Sequence, residues 1–254
     1  MRDEKLLVSP SMTLAQCTLV QMICDHPRRM SEKACLAAGF MKSDITNAKS
    51  NVFGENVSDD VHFETLLSES GKMSALFMLI DVILPKKILI FSRSTKNMDI
   101  IASILHGKSI KSLRVDGSIN RTIRVKRLNE FSEHDENIVM LMSTTLGSDE
   151  LPVASASRVI IYEPAWIPII DENVVARAYQ IAQLEPLVVF RLVTCDTIEE
   201  KIYNRQLLKM STIRLSNGDN DHFTRLFDRE DMVGLLNPPK STAGNMVSGK
   251  YLDL

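Results

Sequence analysis

Short, unbroken apolar runs, each separated from the next by a stretch of helical periodicity, constrain this chain more than any other feature. The runs are 87–92 (KILIFS), 112–115 (SLRV), 137–142 (NIVMLM), 158–162 (RVIIY) and 187–194 (LVVFRLVT). A strand that is apolar at almost every position has to be covered on both faces, and the helical stretches between the runs supply that cover. Helical spacing runs through 71–84, 96–106, 121–131, 171–182 and 197–213. The expected fold class is therefore α/β: a mostly parallel sheet with helices on both faces. In sheets of this kind, function sits in the loops at the carboxyl ends of the strands.

The flanks read differently. A helical pattern over 13–24 is stopped by Asp25-His26-Pro27, and a second short helix is predicted over 31–38. Between 40 and 60 the pattern dissolves into Ser, Asn, Asp and Lys around Gly54. These shifts predict a helical N-terminal extension over 1–40, a flexible linker over 41–65 and the sheet-bearing lobe over 66–213. A C-terminal helical extension over 214–236 and a disordered tail over 237–254, marked by Pro238-Pro239, follow.

Composition narrows the function. The 254 residues are 44% hydrophobic, enough for a core and too many for wholesale disorder. Thirty basic residues stand against 32 acidic ones, a net charge of −2 that argues against binding nucleic acid through bulk charge, so any such contact must be local. No apolar stretch approaches the ~18 residues of a membrane span, and the start Met1-Arg2-Asp3-Glu4-Lys5 is polar, so an intracellular, reducing setting is expected. The four cysteines, Cys17, Cys24, Cys35 and Cys195, form no Cys-x-x-Cys pair and are expected to be buried small hydrophobes. No metal site is expected. Cys24 and His26 lack a second ligand pair, and His26 reads as a helix-ending cap.

Three nucleotide motifs fail on inspection. The segment 244–250 (GNMVSGK) has the glycine and lysine spacing of a phosphate-cradling loop, but Tyr251 replaces the Ser or Thr needed for Mg²⁺ and no strand precedes it. Ser70-Gly71-Lys72 lacks the first glycine, since that position is Leu66, and Met73 follows the lysine. No Gly-x-Gly-x-x-Gly follows a strand, which removes a dinucleotide-binding fold.

A different series is coherent from Ser68 to Lys209. Ser70-Gly71-Lys72 opens a helix, ILIFS follows at 88–92, and Val115-Asp116-Gly117-Ser118 precedes Arg124 and Phe131. Ser143-Thr144, Trp166-x-Pro168, Arg177, Gln183, Arg191-Leu192-Val193 and Thr197-x-Glu199-Glu200-Lys201-Ile202 complete it. In order and spacing this resembles the C-terminal, RecA-like lobe of Swi/Snf-family ATP-dependent DNA translocases, over about residues 6–236. The runs Ile23-Cys24-Asp25-His26-Pro27-Arg28, Glu69-Ser70-Gly71-Lys72-Met73 and Lys201-Ile202-Tyr203-x-Arg205-Gln206 look most like the excision-repair-like branch, typified by the Polo-kinase-interacting checkpoint helicase. Phe223-Thr224-Arg225-Leu226-Phe227 adds to that likeness.

The resemblance implies a site. In such motors ATP, with Mg²⁺, lies between two lobes; the first holds the phosphates and the second inserts arginines that stabilise charge on the transferring phosphoryl group. The family's pair of arginines, three apart on one helical face, maps onto Arg177 and Gln180, so the second guanidinium is replaced by an uncharged amide. A Gly-Gly-x-Gly segment expected after Ser143 and Thr144 reads Thr145-Leu146-Gly147-Ser148-Asp149-Glu150, leaving only Gly147 and adding two carboxylates. Ala182, Ile167 and Asn173 also depart from the pattern.

Contacts to one strand of double-stranded DNA, sequence-independent and to the backbone, map onto Ser92, Arg93, Ser94, Asp116, Gly117, Ser118, Arg124, Ser143 and Thr144. Arg121, Arg124, Lys126 and Arg127 read equally as a DNA-facing patch or as a solvated helix face, and Arg177 as a finger or as a salt-bridged helix arginine. Two functions follow. One is the second lobe of a nuclear or chromosome-associated DNA translocase, inactive without a first RecA-like lobe; the other is a degenerate, non-catalytic lobe that binds DNA or chromatin proteins.

Overall fold

The computed structural model describes residues 10–42, 62–134, 138–146, 155–179, 185–215 and 235–236. Residues 43–61 of the expected linker, the expected tail and segment 244–250 lie outside the described residues.

Five strands form one all-parallel sheet: β1 (Ile88–Ser92), β2 (Ser112–Val115), β3 (Val139–Ser143), β4 (Arg158–Ile161) and β5 (Val188–Arg191), in the order β2-β3-β1-β4-β5. Every residue of β1 and β3 is buried, as their unbroken apolar sequences require, whereas β2 and β5 are only partly buried because each is an edge.

Alternate residues of β1, β3 and β4 feed two separate cores. Ile88, Ile90, Val139, Leu141, Ile160 and Tyr162 pack on one face with Leu66, Phe77, Ile80 and Ile101. That face is covered by α3 (Phe63–Ser68), α4 (Gly71–Ile83) and α5 (Thr95–Gly107). Leu89, Phe91, Met140, Met142, Val159 and Ile161 pack on the other, under α6 (Arg121–Glu133) and α7 (Pro168–Ala178). The period-2 alternation of a strand makes this division unavoidable once both faces are covered.

Helix starts follow the local sequence. Ser70 Oγ accepts the Met73 N–H at 3.2 Å, Ser94 Oγ that of Asn97 at 3.4 Å and Asn120 Oδ1 that of Thr122 at 3.1 Å. Helix α3 begins at Phe63, so helical structure starts ahead of residue 66.

Helix α7 differs from expectation at both ends. It begins at Pro168, whose fixed φ suits a first helical turn, and stops at Ala178 instead of continuing to Ala182. Tyr179 is extended (φ −83°, ψ 126°) while its N–H closes the last turn on the Val175 carbonyl, so the helical register does not pass Tyr179.

The N-terminal extension is docked onto the lobe. Helix α1 (Pro10–Asp25), a 3₁₀ turn (Pro27–Arg29) and α2 (Glu32–Ala37) lead into it. Cys17 packs with Ile198 and Ile202 of α8 (Ile198–Leu215) and with Leu235. Trp166 Nε1 donates to Gln21 Oε1 at 2.9 Å. Of the cysteines, Cys17 and Cys35 are buried and Cys24 half-buried, but Cys195 is exposed. Cys195 sits in the turn between β5 and α8, beside Asp196, whose φ is +57°.

Candidate nucleic-acid interface

The carboxyl ends of β2, β3 and β1 lie side by side. Ser92 is in register with Ser143, and Val115 with Met142, so the next residues of each strand leave the sheet along one rim. The Thr144 N–H donates to the Ser92 carbonyl at 3.1 Å and ties two of the three loops together. Ser92, Arg93, Ser94, Asp116, Gly117, Ser118, Ser143 and Thr144, from segments up to about fifty residues apart, thus meet on one edge.

Their roles divide by burial. Ser92, Asp116 and Ser143 are buried and build turns. Asp116 Oδ1 accepts the Ser118 N–H at 2.9 Å and its hydroxyl at 2.5 Å, and Oδ2 accepts from Arg114 at 2.6 Å. Burial pushes the Asp116 carboxyl up, but these bonds from Ser118 and Arg114 outweigh it and hold the group below its ordinary value. Ser143 Oγ and Thr145 Oγ1 are 2.8 Å apart. Gly117 and Ser118 are exposed, and Arg93, Ser94, Thr144 and Arg124 half-buried.

The arginines of this edge are mostly braces. Arg124 donates through Nε to the Ile119 carbonyl at 2.7 Å and through a terminal nitrogen to the Gly117 carbonyl at 3.3 Å. Arg127 donates to the Arg114 carbonyl, and Arg114 pairs with Asp99 and Asp116. Neither a plain DNA-facing patch nor a plain solvated face describes them; Arg121 and Lys126 are the exposed members.

Arg177 lies in the last turn of α7, half-buried, and donates to the Leu146 carbonyl just after β3. It is therefore tied to the end of β3 and not simply solvated. Gly147 and Gln180 lie outside the described residues, as do Asp149 and Glu150. Arg177 is thus the one expected nucleotide-contacting residue the structure describes. Among the described residues no cluster of three or more His, Cys, Asp or Glu side chains could hold a metal, and no helix is long and apolar enough to cross a membrane.

Lys72 is buried against Asp25 Oδ1 at 3.1 Å and Glu199 Oε1 at 2.6 Å, which makes a phosphate-binding role for Ser70-Gly71-Lys72 untenable. This cluster is what sequence reading missed. Asp25 Oδ2 also accepts from Asn97 at 3.1 Å and from Arg29, and its carbonyl accepts the Ser70 hydroxyl at 2.8 Å and the Tyr162 hydroxyl at 2.7 Å. Burial lowers the Arg29 pKa, and nearby Glu163 opposes that shift. Each motif was visible alone, but no local spacing links residues separated by up to 174 positions.

His26 closes the extension. Its Nδ1 accepts the Arg28 N–H at 3.1 Å, so its Nε2 carries the proton that the Leu66 carbonyl accepts at 2.9 Å. It is a satisfied cap, as its sequence context implies, and burial lowers its pKa.

Comparison with known proteins places this geometry. Residues 71–182 match the family described as the helicase conserved C-terminal domain. The chain is 36% identical over 240 residues to the mouse DNA excision repair protein ERCC-6-like, covering 92% of this chain and 19% of that protein. It is 32% identical over 238 residues to Protein CHROMATIN REMODELING 24 of Arabidopsis thaliana, covering 89% and 22%. Lymphoid-specific helicase from Homo sapiens is 34% identical over 158 residues, 60% of this chain and 18% of that protein. The chain thus spans about a fifth of the length of these relatives. In fold it is similar to the C-terminal part of the Fun30 ATPase domain, with TM-score 0.54 and 24% identity over 78% of this chain and 67% of that one.

Proposed function

We propose that this chain, which carries a helicase C-terminal domain of the Swi/Snf type, acts as the second motor lobe of an ATP-dependent double-stranded DNA translocase of the excision-repair-like branch. The convergence of the 92–94, 116–118 and 143–144 loops on one rim carries the reading. Exposed Gly117 and Ser118, with half-buried Arg93, Ser94 and Thr144, offer small polar groups and one cation to a phosphodiester backbone. Such contacts are sequence-independent and weaken with salt.

A first RecA-like lobe, in cis or trans, would hold Mg²⁺ and the ATP phosphates. Arg177, at the rim beside Leu146, fits the contribution of this lobe, a single guanidinium presented to the nucleotide. ATP would supply the phosphoryl group whose developing charge that guanidinium faces. Relatives named for DNA repair and chromatin remodelling agree with a nuclear or chromosome-associated setting.

The test pairs the chain with a first lobe and measures ATP hydrolysis with and without duplex DNA. DNA-stimulated hydrolysis that falls on Arg177→Ala supports the motor reading; none in any pairing rejects it. A non-catalytic DNA-binding lobe is favoured by Gln180 in place of a second arginine. On that reading the unaltered chain binds duplex without turnover, and Gln180→Arg with restored loop glycines gains it.

A further inference from the structure

Glu163 follows the end of β4 and reaches the loop after β1, the neighbouring strand. One carboxylate oxygen, Oε1, accepts the Ser92 hydroxyl at 2.9 Å, the Arg93 N–H at 2.7 Å and the Ser94 N–H at 3.2 Å. The residue is only 4% exposed, so both amides are directed at a buried acceptor. Its second oxygen, Oε2, is buried with no hydrogen-bond partner among the described residues. Burial lowers the pKa of Arg29 in the N-terminal extension, and the Glu163 carboxylate opposes that shift.

Three donors converging on one oxygen make an anion nest, and here the anion is internal. An N–H given to a buried carboxylate is not available to a DNA phosphate. What this loop has left to offer is the half-buried side chains of Arg93 and Ser94.

We propose that Glu163 is a positioning residue for DNA contact: it folds the amides of the 92–94 loop inward, so that the loop meets a phosphodiester through the Arg93 and Ser94 side chains. The inference takes its ligand from the function proposed above, but its geometry is independent of that reading.

The test uses the 254-residue chain, a fluorescent duplex of arbitrary sequence and amide hydrogen exchange without DNA. In Glu163→Ala, exchange at Arg93 and Ser94 should accelerate and duplex affinity fall about tenfold, the scale of a lost charge-assisted bond. Glu163→Gln, which keeps an oxygen acceptor, should recover part of that loss. Adding Glu163→Ala to Arg93→Ala should cost less than Glu163→Ala costs alone, since the Arg93 contact is already gone and only that of Ser94 is left to lose. Tyr162→Phe loosens the adjacent buried network without touching the loop and should leave affinity unchanged.

Tighter binding by Glu163→Ala would mean that freed amides serve the phosphate, and would overturn the proposal. So would unchanged exchange, unchanged affinity, or an equal loss in Tyr162→Phe at equal stability. Wild-type chain that fails to bind duplex at all would reject the DNA reading, and the ligand of this proposal with it; unchanged exchange beside normal wild-type binding would reject this proposal alone.

Discussion

Lys72 Nζ lies 2.6 Å from Glu199 Oε1, although 127 positions separate the two residues in the chain. The side chains of Lys72, Glu199 and Asp25 are all at least 96% hidden from solvent, and Arg29 supplies a second positive charge to the pair of carboxylates. The contact joins the start of α4, the start of α8 and the end of α1.

Lys72→Met should destabilise the chain by about 3–5 kcal/mol, because it leaves two carboxylates facing one cation in a dry site. Chemical denaturation measures this. A loss below about 1 kcal/mol would show that the cluster is open to water in solution.

The docked extension should loosen in mild acid. His26 has its pKa lowered by burial, so the unfolded chain takes up a proton near pH 6.5 before the folded chain does. The stabilising contribution of the neutral imidazole is present above that pH and lost progressively below it. A proton on Nδ1 would also face the Arg28 N–H, donor against donor. Melting temperature followed from pH 7.5 to 5 should fall in the wild type and less in His26→Gln.

Gly107→Ala should destabilise although alanine is the better helix former. A Cβ at this position would lie 2.5 Å from Phe63 Cδ1 and 2.8 Å from its Cβ, so either Phe63 or the end of α5 has to shift. Overpacking of this kind costs about 1–3 kcal/mol, and thermal unfolding reads it.

Thiol labelling should rank the cysteines by depth. Burial pushes the Cys17 thiol up to about 11, and Cys35 is also buried, while Cys195 is exposed. A disulfide reagent at neutral pH should modify Cys195 first, and Cys17 and Cys35 only on unfolding; early reaction of Cys17 would contradict its packing against Ile198 and Ile202.

Arg124→Lys should fail to substitute for arginine. Arg124 spans two carbonyls, Gly117 and Ile119, from two nitrogens of one planar fork, and an ammonium cannot reproduce that spacing. On the proposed DNA reading, duplex affinity of Arg124→Lys should drop nearly as far as that of Arg124→Ala, measured by anisotropy at two salt concentrations. Full rescue by lysine would mean that charge alone matters here.

The amino-acid sequence by itself determined the layered architecture. Runs such as ILIFS and VMLMS have no polar side to turn to water, so they had to become central strands, and the serines before α4 and α5 sit where a helix start needs an acceptor. It also located the rim residues one by one, since loops after strands are local facts. Where α7 stops, how Arg124 is spent and why Cys195 is exposed depend on neighbours that helical period and residue type do not encode. The joining of Asp25, Lys72 and Glu199, and the reach of Glu163 beneath the next strand's loop, were decided only by the tertiary structure. Parallel pairing brings distant segments to one edge, and buried charge then has to be satisfied across the whole length of the chain.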